Sequence, residues 1–332
     1  MRVVCTAGHV DHGKSALVRA LTGMEPDRLA EERRRGLTLD LGFAWTAVGD
    51  ETVAFVDLPG HERYVPTMLA GAGAVELALF VVAADEGWKP QSEEHLAILD
   101  LLGVRHAVVA LTKCDLVDPA HAAGVVAERL RGTGLEGAAV VPVSAVTGAG
   151  LDALRAALGR LLAAAPAPAD RGRPRLWVDR SFSVRGAGTV VTGTLTGGTL
   201  RAGATLTVLP GRRSARVRGL QALGEPVEEA GPGTRVAVNL AGVAREEVHR
   251  GDALGLAGQW REVSAFDALV RTLAPIDRRG AWRLHTGSAE RAARLHPLDG
   301  PTLEAAGYAR IELDAPLPLA AGDRFILRDT GP

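Results

Sequence analysis

The feature that most restricts this chain is a glycine-rich stretch close to its start. Residues 8–15 read Gly-His-Val-Asp-His-Gly-Lys-Ser and fit the pattern G-x-x-x-x-G-K-[ST]. The stretch follows an apolar run over residues 2–7 and leads into a helix-forming segment at residues 15–21. A strand before the loop and a helix after it is the setting in which such a loop cradles phosphate. Backbone N–H groups turn inward around the phosphate oxygens, and the helix N-terminus adds its partial positive charge. Asp11, His12, Gly13, Lys14, Ser15 and Ala16 are the expected cradle. Lys14 is placed to reach the terminal phosphates and Ser15 to ligate Mg2+. His9 and His12 also stand at a spacing that suits a metal ion, but a loop whose backbone must face phosphate argues against that use.

A phosphate loop of this kind sits in a mostly parallel sheet with helices on both faces, and the rest of the first half agrees. Apolar runs at residues 52–57, 77–84, 106–111 and 138–143 alternate with helix-spaced stretches at 90–102, 119–131 and 150–162. Residues 163–174 read AAAPAPADRGRP and form a linker. Beyond it, runs rich in Val, Thr and Leu at 189–195, 204–209, 215–220 and 234–240 are separated by glycine turns, which predicts β-barrel domains. The expected division is an α/β P-loop domain over 1–168, a β-barrel over 174–259 and a second, incomplete β-barrel over 262–332. No apolar run reaches the ~18 residues of a membrane-spanning helix. Only Cys5 and Cys114 are cysteines, which excludes a disulfide scaffold and a cysteine-ligated zinc ribbon. With no secretory pattern at the N-terminus, the expected setting is the cytoplasm.

Three further clusters fall at strand ends. Asp57-Leu58-Pro59-Gly60-His61 follows the run that ends at Val56. A carboxylate there supplies the second acidic group of an Mg2+ shell, and Gly60 lets a backbone N–H approach a terminal phosphate. His61 reads equally as a residue that orients an attacking water and as a solvated loop histidine. Thr38, between the phosphate loop and Asp57, carries a hydroxyl that could complete the Mg2+ shell only with the terminal phosphate present. Thr112-Lys113-Cys114-Asp115 ends the run at 106–111. A carboxylate at Asp115 can accept two hydrogen bonds from guanine, a pair adenine lacks, so the cluster favours GTP over ATP. Ser144-Ala145 would offer a backbone N–H to the guanine carbonyl, and the stem of Lys113 can lie along the base. In register, these clusters select a GTPase over a P-loop ATPase or a small-molecule kinase.

Charge separates the halves. Residues 1–170 carry 15 Lys and Arg against 22 Asp and Glu, and residues 171–332 carry 23 against 17, within a net charge of −1. A basic second half favours a nucleic-acid partner there, although ordinary variation between domains gives the same split.

With these residues assembled, the chain resembles the translational GTPases, and among them the selenocysteine-specific elongation factors. GHVDHGKS, RGLTLD, DLPGH, TKCD and SA stand in family order, and DLPGHERYVPTMLAG, DEGWKPQSEEHL and DRSFSVRGAGTVVTGT look like that branch's signatures. The resemblance implies GTP/GDP and Mg2+ as ligands, with Ser15, Thr38 and Asp57 on the ion. It implies a catalytic role for His61, held from water by an apolar gate at Val10 and Leu37 until a ribosome docks. It implies barrels that carry selenocysteinyl-tRNA, with Asp179, Arg180 and Arg250 as the aminoacyl pocket. A selenol is anionic near neutral pH, so paired guanidiniums would favour it over neutral serine. Without the family, those arginines read as exposed barrel residues. Trp177 stands beside the proposed pocket, and the other four tryptophans read as packing residues.

Thr112 departs from the general pattern, where an asparagine begins the guanine cluster, and leaves one polar contact near the base open. The resemblance implies that the domains that bind an mRNA hairpin in bacterial members are absent here, so a fragment or truncated gene product is expected, and separately a monomer. Two rivals stand beside this reading: a carrier of another aminoacyl- or initiator tRNA, and a GTP-gated binding module with vestigial hydrolysis.

Overall fold

The computed structural model describes residues 1–26, 38–277 and 280–330. The chain divides into two units, Met1–Ala169 with Gly233–Arg235, and Asp170–Pro232 with Val236–Pro332.

In the first unit, six strands form one sheet. They are β1 (Arg2–Ala7), β2 (Gly42–Val48), β3 (Glu51–Asp57), β4 (Leu77–Ala83), β5 (His106–Thr112) and β6 (Ala139–Pro142), in the order β2-β3-β1-β4-β5-β6. Only β2 runs antiparallel, joined to β3 by a hairpin. The others are parallel, β1 lying between β3 and β4. Their continuous apolar sequences follow from burial on both faces: every residue of β1 and β4 is buried. Helices α1 (Lys14–Thr22), α2 (Val65–Ala72), α3 (Pro90–Leu101), α4 (Ala120–Leu130) and α5 (Leu151–Ala164) connect the strands. One face of the sheet packs Val4, Phe55, Leu79 and Val108 against Leu17 and Leu21 of α1 and Leu154 and Leu158 of α5. The strand order switches sides at β1, with β3 on one side and β4 on the other, and the loops after β1, β3 and β5 lie at the carboxyl ends of these parallel strands, where open α/β sheets bind ligands.

The apolar-run reading missed β2. Its sequence, GFAWTAV, has no continuous aliphatic run, and as an edge strand it is only partly covered. No helix among the described residues is long and apolar enough to cross a membrane.

In the second unit, strands Thr205–Leu209, Ala253–Leu256, Arg175–Trp177, Gly188–Thr196, Arg235–Ala241 and Arg213–Ala222 pair in that order, and the last pairs back with the first. That ring is a closed barrel filled by Leu176, Val191, Leu206, Val217, Val238 and Leu254. Strand Arg180–Val184 folds against Gly188–Thr196 as a hairpin turned at Arg185-Gly186-Ala187, where Ala187 N–H donates to Val184 O.

A second, antiparallel sheet follows, ordered Val263–Arg271, Ala306–Leu317, Ala289–Pro297, Trp282–Thr286 and Ile326–Asp329. Two of these strands, WRLHT and AERAARLHP, escaped the sequence reading because arginine and histidine interrupt their apolar positions. The Arg175 guanidinium ties this sheet to the barrel through paired bonds of 2.6 and 2.7 Å to Asp323 and one of 2.9 Å to Pro318 O. Trp177 lies in the core they share, packed on Gly287, and so is a packing residue rather than a stacking platform.

Candidate functional site

The loop between β1 and α1 carries Asp11 at φ 62° and Gly13 at φ 83°, and the second of these caps the start of α1. Gly8 has no room for a side chain, because a Cβ there would overlap Val81 O. Helix α3 holds the loop from a face its sequence did not advertise. Gly8 N–H donates to Nδ1 of His95 at 2.9 Å, and Val10 N–H to Oε1 of Gln91 at 3.1 Å. The two side chains are four residues apart and so share one helix face. Burial pushes the His95 imidazole down to about 3, which keeps it neutral and able to accept.

Lys14 is buried and folds across the loop, its ammonium donating to Gly8 O at 3.0 Å and His9 O at 2.7 Å. A Cβ at Gly60 would meet the Lys14 ammonium and come within 2.6 Å of Val10 N. Glycine at that position lets the loop after β3 close onto the loop after β1.

Beside Lys14, three oxygen-bearing groups converge. The Ser15 hydroxyl donates to Asp57 Oδ2 at 2.6 Å and lies 2.9 Å from the Thr38 hydroxyl. Asp57 is wholly buried, and Thr6 holds it from below, its hydroxyl donating to Oδ1 at 2.7 Å and accepting Leu58 N–H at 2.9 Å. Hydroxyl and carboxylate oxygens packed this closely match the hard donor set of Mg2+. Thr6 was missed in the sequence; its only signal is a hydroxyl in the otherwise apolar strand RVVCTA. Replacing Thr6 by valine keeps the shape and removes the bond that aims Asp57. Mg2+-dependent nucleotide affinity should fall about 5- to 10-fold, as expected for a lost hydrogen bond to a charged group. Titration of a fluorescent nucleotide with and without Mg2+ checks this, and an unchanged Mg2+ dependence would contradict it.

The third loop adjoins the first. Thr112 Oγ1 donates to His12 O at 2.7 Å and lies 3.3 Å from Val82 O. The short side chain at the head of the T-K-x-D cluster therefore ties that loop to the phosphate loop. Lys113, at φ 57°, donates to Glu86 at 2.7 Å and lies 3.5 Å from Asp85. Asp115 is exposed. Ser144 N–H is spent on Ala149 O at 2.9 Å, which leaves the backbone role expected of Ser144-Ala145 to Ala145. Cys114 is half-buried in this loop, and the Cys5 thiol, wholly buried in β1, is pushed up to about 12 by desolvation, so it is no nucleophile.

His61 follows Gly60 and is half-buried, its Nδ1 accepting Arg63 N–H at 3.2 Å. In the neutral ring that places the proton on Nε2. Val10 is half-buried, and Leu37 lies outside the described residues.

In the second unit, buried Asp179 accepts the Thr192 hydroxyl at 2.7 Å, and Arg180 stands opposite Thr192 in the hairpin. Val178 N–H donates to Asp252 O at 2.8 Å, and Gly251 N–H to Val178 O at 3.0 Å. These bonds lay the turn that carries exposed Arg250 alongside the strand that carries half-buried Arg180, so residues 70 apart in sequence share one region of the barrel. Asp252 closes the turn by accepting His249 N–H at 2.7 Å.

Comparison with known proteins matches three segments of the chain. Residues 1–164 match the family model of the elongation factor Tu GTP binding domain, 188–255 that of elongation factor Tu domain 2, and 264–331 that of the selenocysteine-specific elongation factor beta-barrel domain. The selenocysteine-specific elongation factor of Desulfomicrobium baculatum is 42% identical over 99% of this chain, and that of Escherichia coli K12 40% over 98%. The chain spans about half the length of these relatives, 54% and 53%. A crystal structure of a bacterial selenocysteine-specific elongation factor superposes with a TM-score of 0.93 at 31% identity, covering 99% of this chain and 56% of its own.

Proposed function

The chain belongs to the selenocysteine-specific elongation factors, and from that premise we propose that it binds GTP with Mg2+, carries selenocysteinyl-tRNA to the ribosome in the GTP state, and hydrolyses GTP on delivery. The observation that carries the nucleotide half is the convergence of Ser15, Thr38 and Asp57 beside the Lys14 ammonium, under a Gly60 with no space for a side chain. Asp11 to Ala16 present backbone N–H groups to the phosphates, and Lys14 exchanges its two carbonyl partners for phosphate oxygens. Ser15, Thr38 and Asp57 hold the metal. Mg2+, when bound, neutralises charge on the phosphate oxygens. His61 positions the water that attacks the terminal phosphate, with Val10 and Leu37 as the apolar gate that the family resemblance implies.

Lys113, Asp115 and Ala145 read the guanine base, with Thr112 tying their loop to the phosphate loop and Ser144 fixing the loop that carries Ala145. Because Asp115 alone can accept both donors of guanine, Asp115→Asn should lower GDP affinity at least ~100-fold, the discrimination expected when a base's donors lose their acceptor. It should improve binding of xanthosine diphosphate, whose extra carbonyl matches an amide donor. Competition of the two nucleotides against labelled GDP tests the assignment, and wild-type GDP affinity in the variant would overturn it.

The aminoacyl end rests on the second unit. Two guanidiniums in one region of the barrel stabilise an anionic selenolate, whereas a neutral seryl hydroxyl offers too little to offset the water they lose. Asp179, oriented by Thr192, faces the α-amino group or an arginine of the same region. The positive balance of residues 171–332 suits the phosphates of the acceptor arm. A cytoplasmic setting follows from these partners.

A further inference from the structure

His9, His12 and Glu86 each bring one ligand atom into a group whose members lie within 4.8 Å of one another. The two imidazole rings meet edge to face with centroids 4.9 Å apart. His12 is 0% exposed, and its Nδ1 lies 3.4 Å from Val81 O. That contact sets the ring proton on Nδ1 and leaves the Nε2 lone pair without a partner. Nδ1 of His9 is buried and unpartnered as well. Buried polar atoms in folded proteins are nearly always satisfied, so orphaned nitrogens on two rings of a cluster that also offers a carboxylate call for an occupant. Glu86 is held at the rim by Lys113 at 2.7 Å and Lys89 at 3.7 Å, which leave its carboxylate further acceptor capacity.

We propose that His9, His12 and Glu86 form a site for a divalent cation of the zinc class, distinct from the Mg2+ set of Ser15, Thr38 and Asp57. Two imidazoles and one carboxylate suit Zn2+, Co2+ or Ni2+, whereas Mg2+ takes oxygen donors. Burial keeps both rings in the neutral form that ligates. The spread between ligand atoms exceeds the roughly 3.3 Å between donors around a tetrahedral ion with bonds near 2 Å. Rotation of the exposed Glu86 side chain and the half-buried His9 ring can close the difference. A loop whose backbone must face phosphate would, from sequence alone, argue against a metal here. That argument does not apply, because His12 ties its carbonyl to Thr112 and turns its ring inward against β4. This site does not depend on the tRNA reading.

Calorimetric titration of the nucleotide-free chain with ZnCl2 and with CoCl2, in excess Mg2+, tests the proposal. One ion per chain is expected, with X-ray absorption of the cobalt form showing two imidazole ligands. His9→Ala and Glu86→Gln should each weaken binding about tenfold or more, and His121→Ala, which removes an exposed histidine of α4, should leave it unchanged. Glu86→Gln alters an exposed side chain and keeps the test valid if His9→Ala misfolds. Absence of stoichiometric binding, binding that survives Glu86→Gln, or binding lost with His121→Ala would overturn the site.

Discussion

Replacing His61 by alanine is expected to lower ribosome-stimulated GTP turnover about 10²- to 10⁴-fold, with nucleotide affinity within about twofold of wild type. The asymmetry follows from position. His61 lies one residue past the Gly60 contact with the phosphate loop, and Arg63 N–H, donating to Nδ1, holds the ring by its own loop. The Ser15 hydroxyl is bonded to Asp57 and the Lys14 ammonium to Gly8 O and His9 O, contacts made without the imidazole. Removing the imidazole therefore withdraws the group proposed to align water and should leave the ground-state grip on nucleotide intact, the pattern of an interaction made only in the transition state. Single-turnover hydrolysis with and without ribosomes, beside nucleotide titration, separates the two. Stimulated turnover that survives the substitution would instead support a GTP-gated binding module.

Changing Arg180 and Arg250 together to glutamine is expected to reduce the preference for selenocysteinyl- over seryl-tRNA by about 10- to 100-fold. A fully buried charge pair would predict more. Arg180 is only half-buried and Arg250 exposed, so solvent weakens their hold on a selenolate. The preference is a ratio measured on one tRNA body, so losses in general phosphate attraction cancel from it. An unaltered ratio would favour a carrier of a different aminoacyl-tRNA.

Much of the candidate nucleotide site was legible because each part is a short run at a strand end. Gly8 to Ser15, Asp57 to His61 and Thr112 to Asp115 each carry residue types whose chemistry needs that order. What stayed hidden was contact across long sequence separations. Thr6 beneath Asp57, Gln91 and His95 behind the phosphate loop, and Thr112 bonded to His12 all depend on which strands and helices are neighbours, and no local pattern encodes that. His95 is the clearest instance. In sequence it is one polar residue on a helix, and in the fold it is a buried acceptor for the first loop amide. The same limit applied to strands. β4 and β5, covered on both faces, announce themselves as aliphatic runs, while β2 at the edge and the arginine-bearing strands of the last sheet do not. For the aminoacyl region the sequence named Arg180 and Arg250 only through family likeness. The bonds of Val178 to Gly251 and Asp252 supply the physical reason the two segments lie together.

The most direct measurement is equilibrium binding of selenocysteinyl-tRNA and seryl-tRNA, sharing one tRNA body, to the chain loaded with a non-hydrolysable GTP analogue at a single salt concentration. The account predicts tighter binding of the selenocysteinyl form by at least ~10-fold, the same cationic contribution the double substitution removes, and weak binding of both when GDP replaces the analogue. Equal affinity for the two charged tRNAs would contradict it.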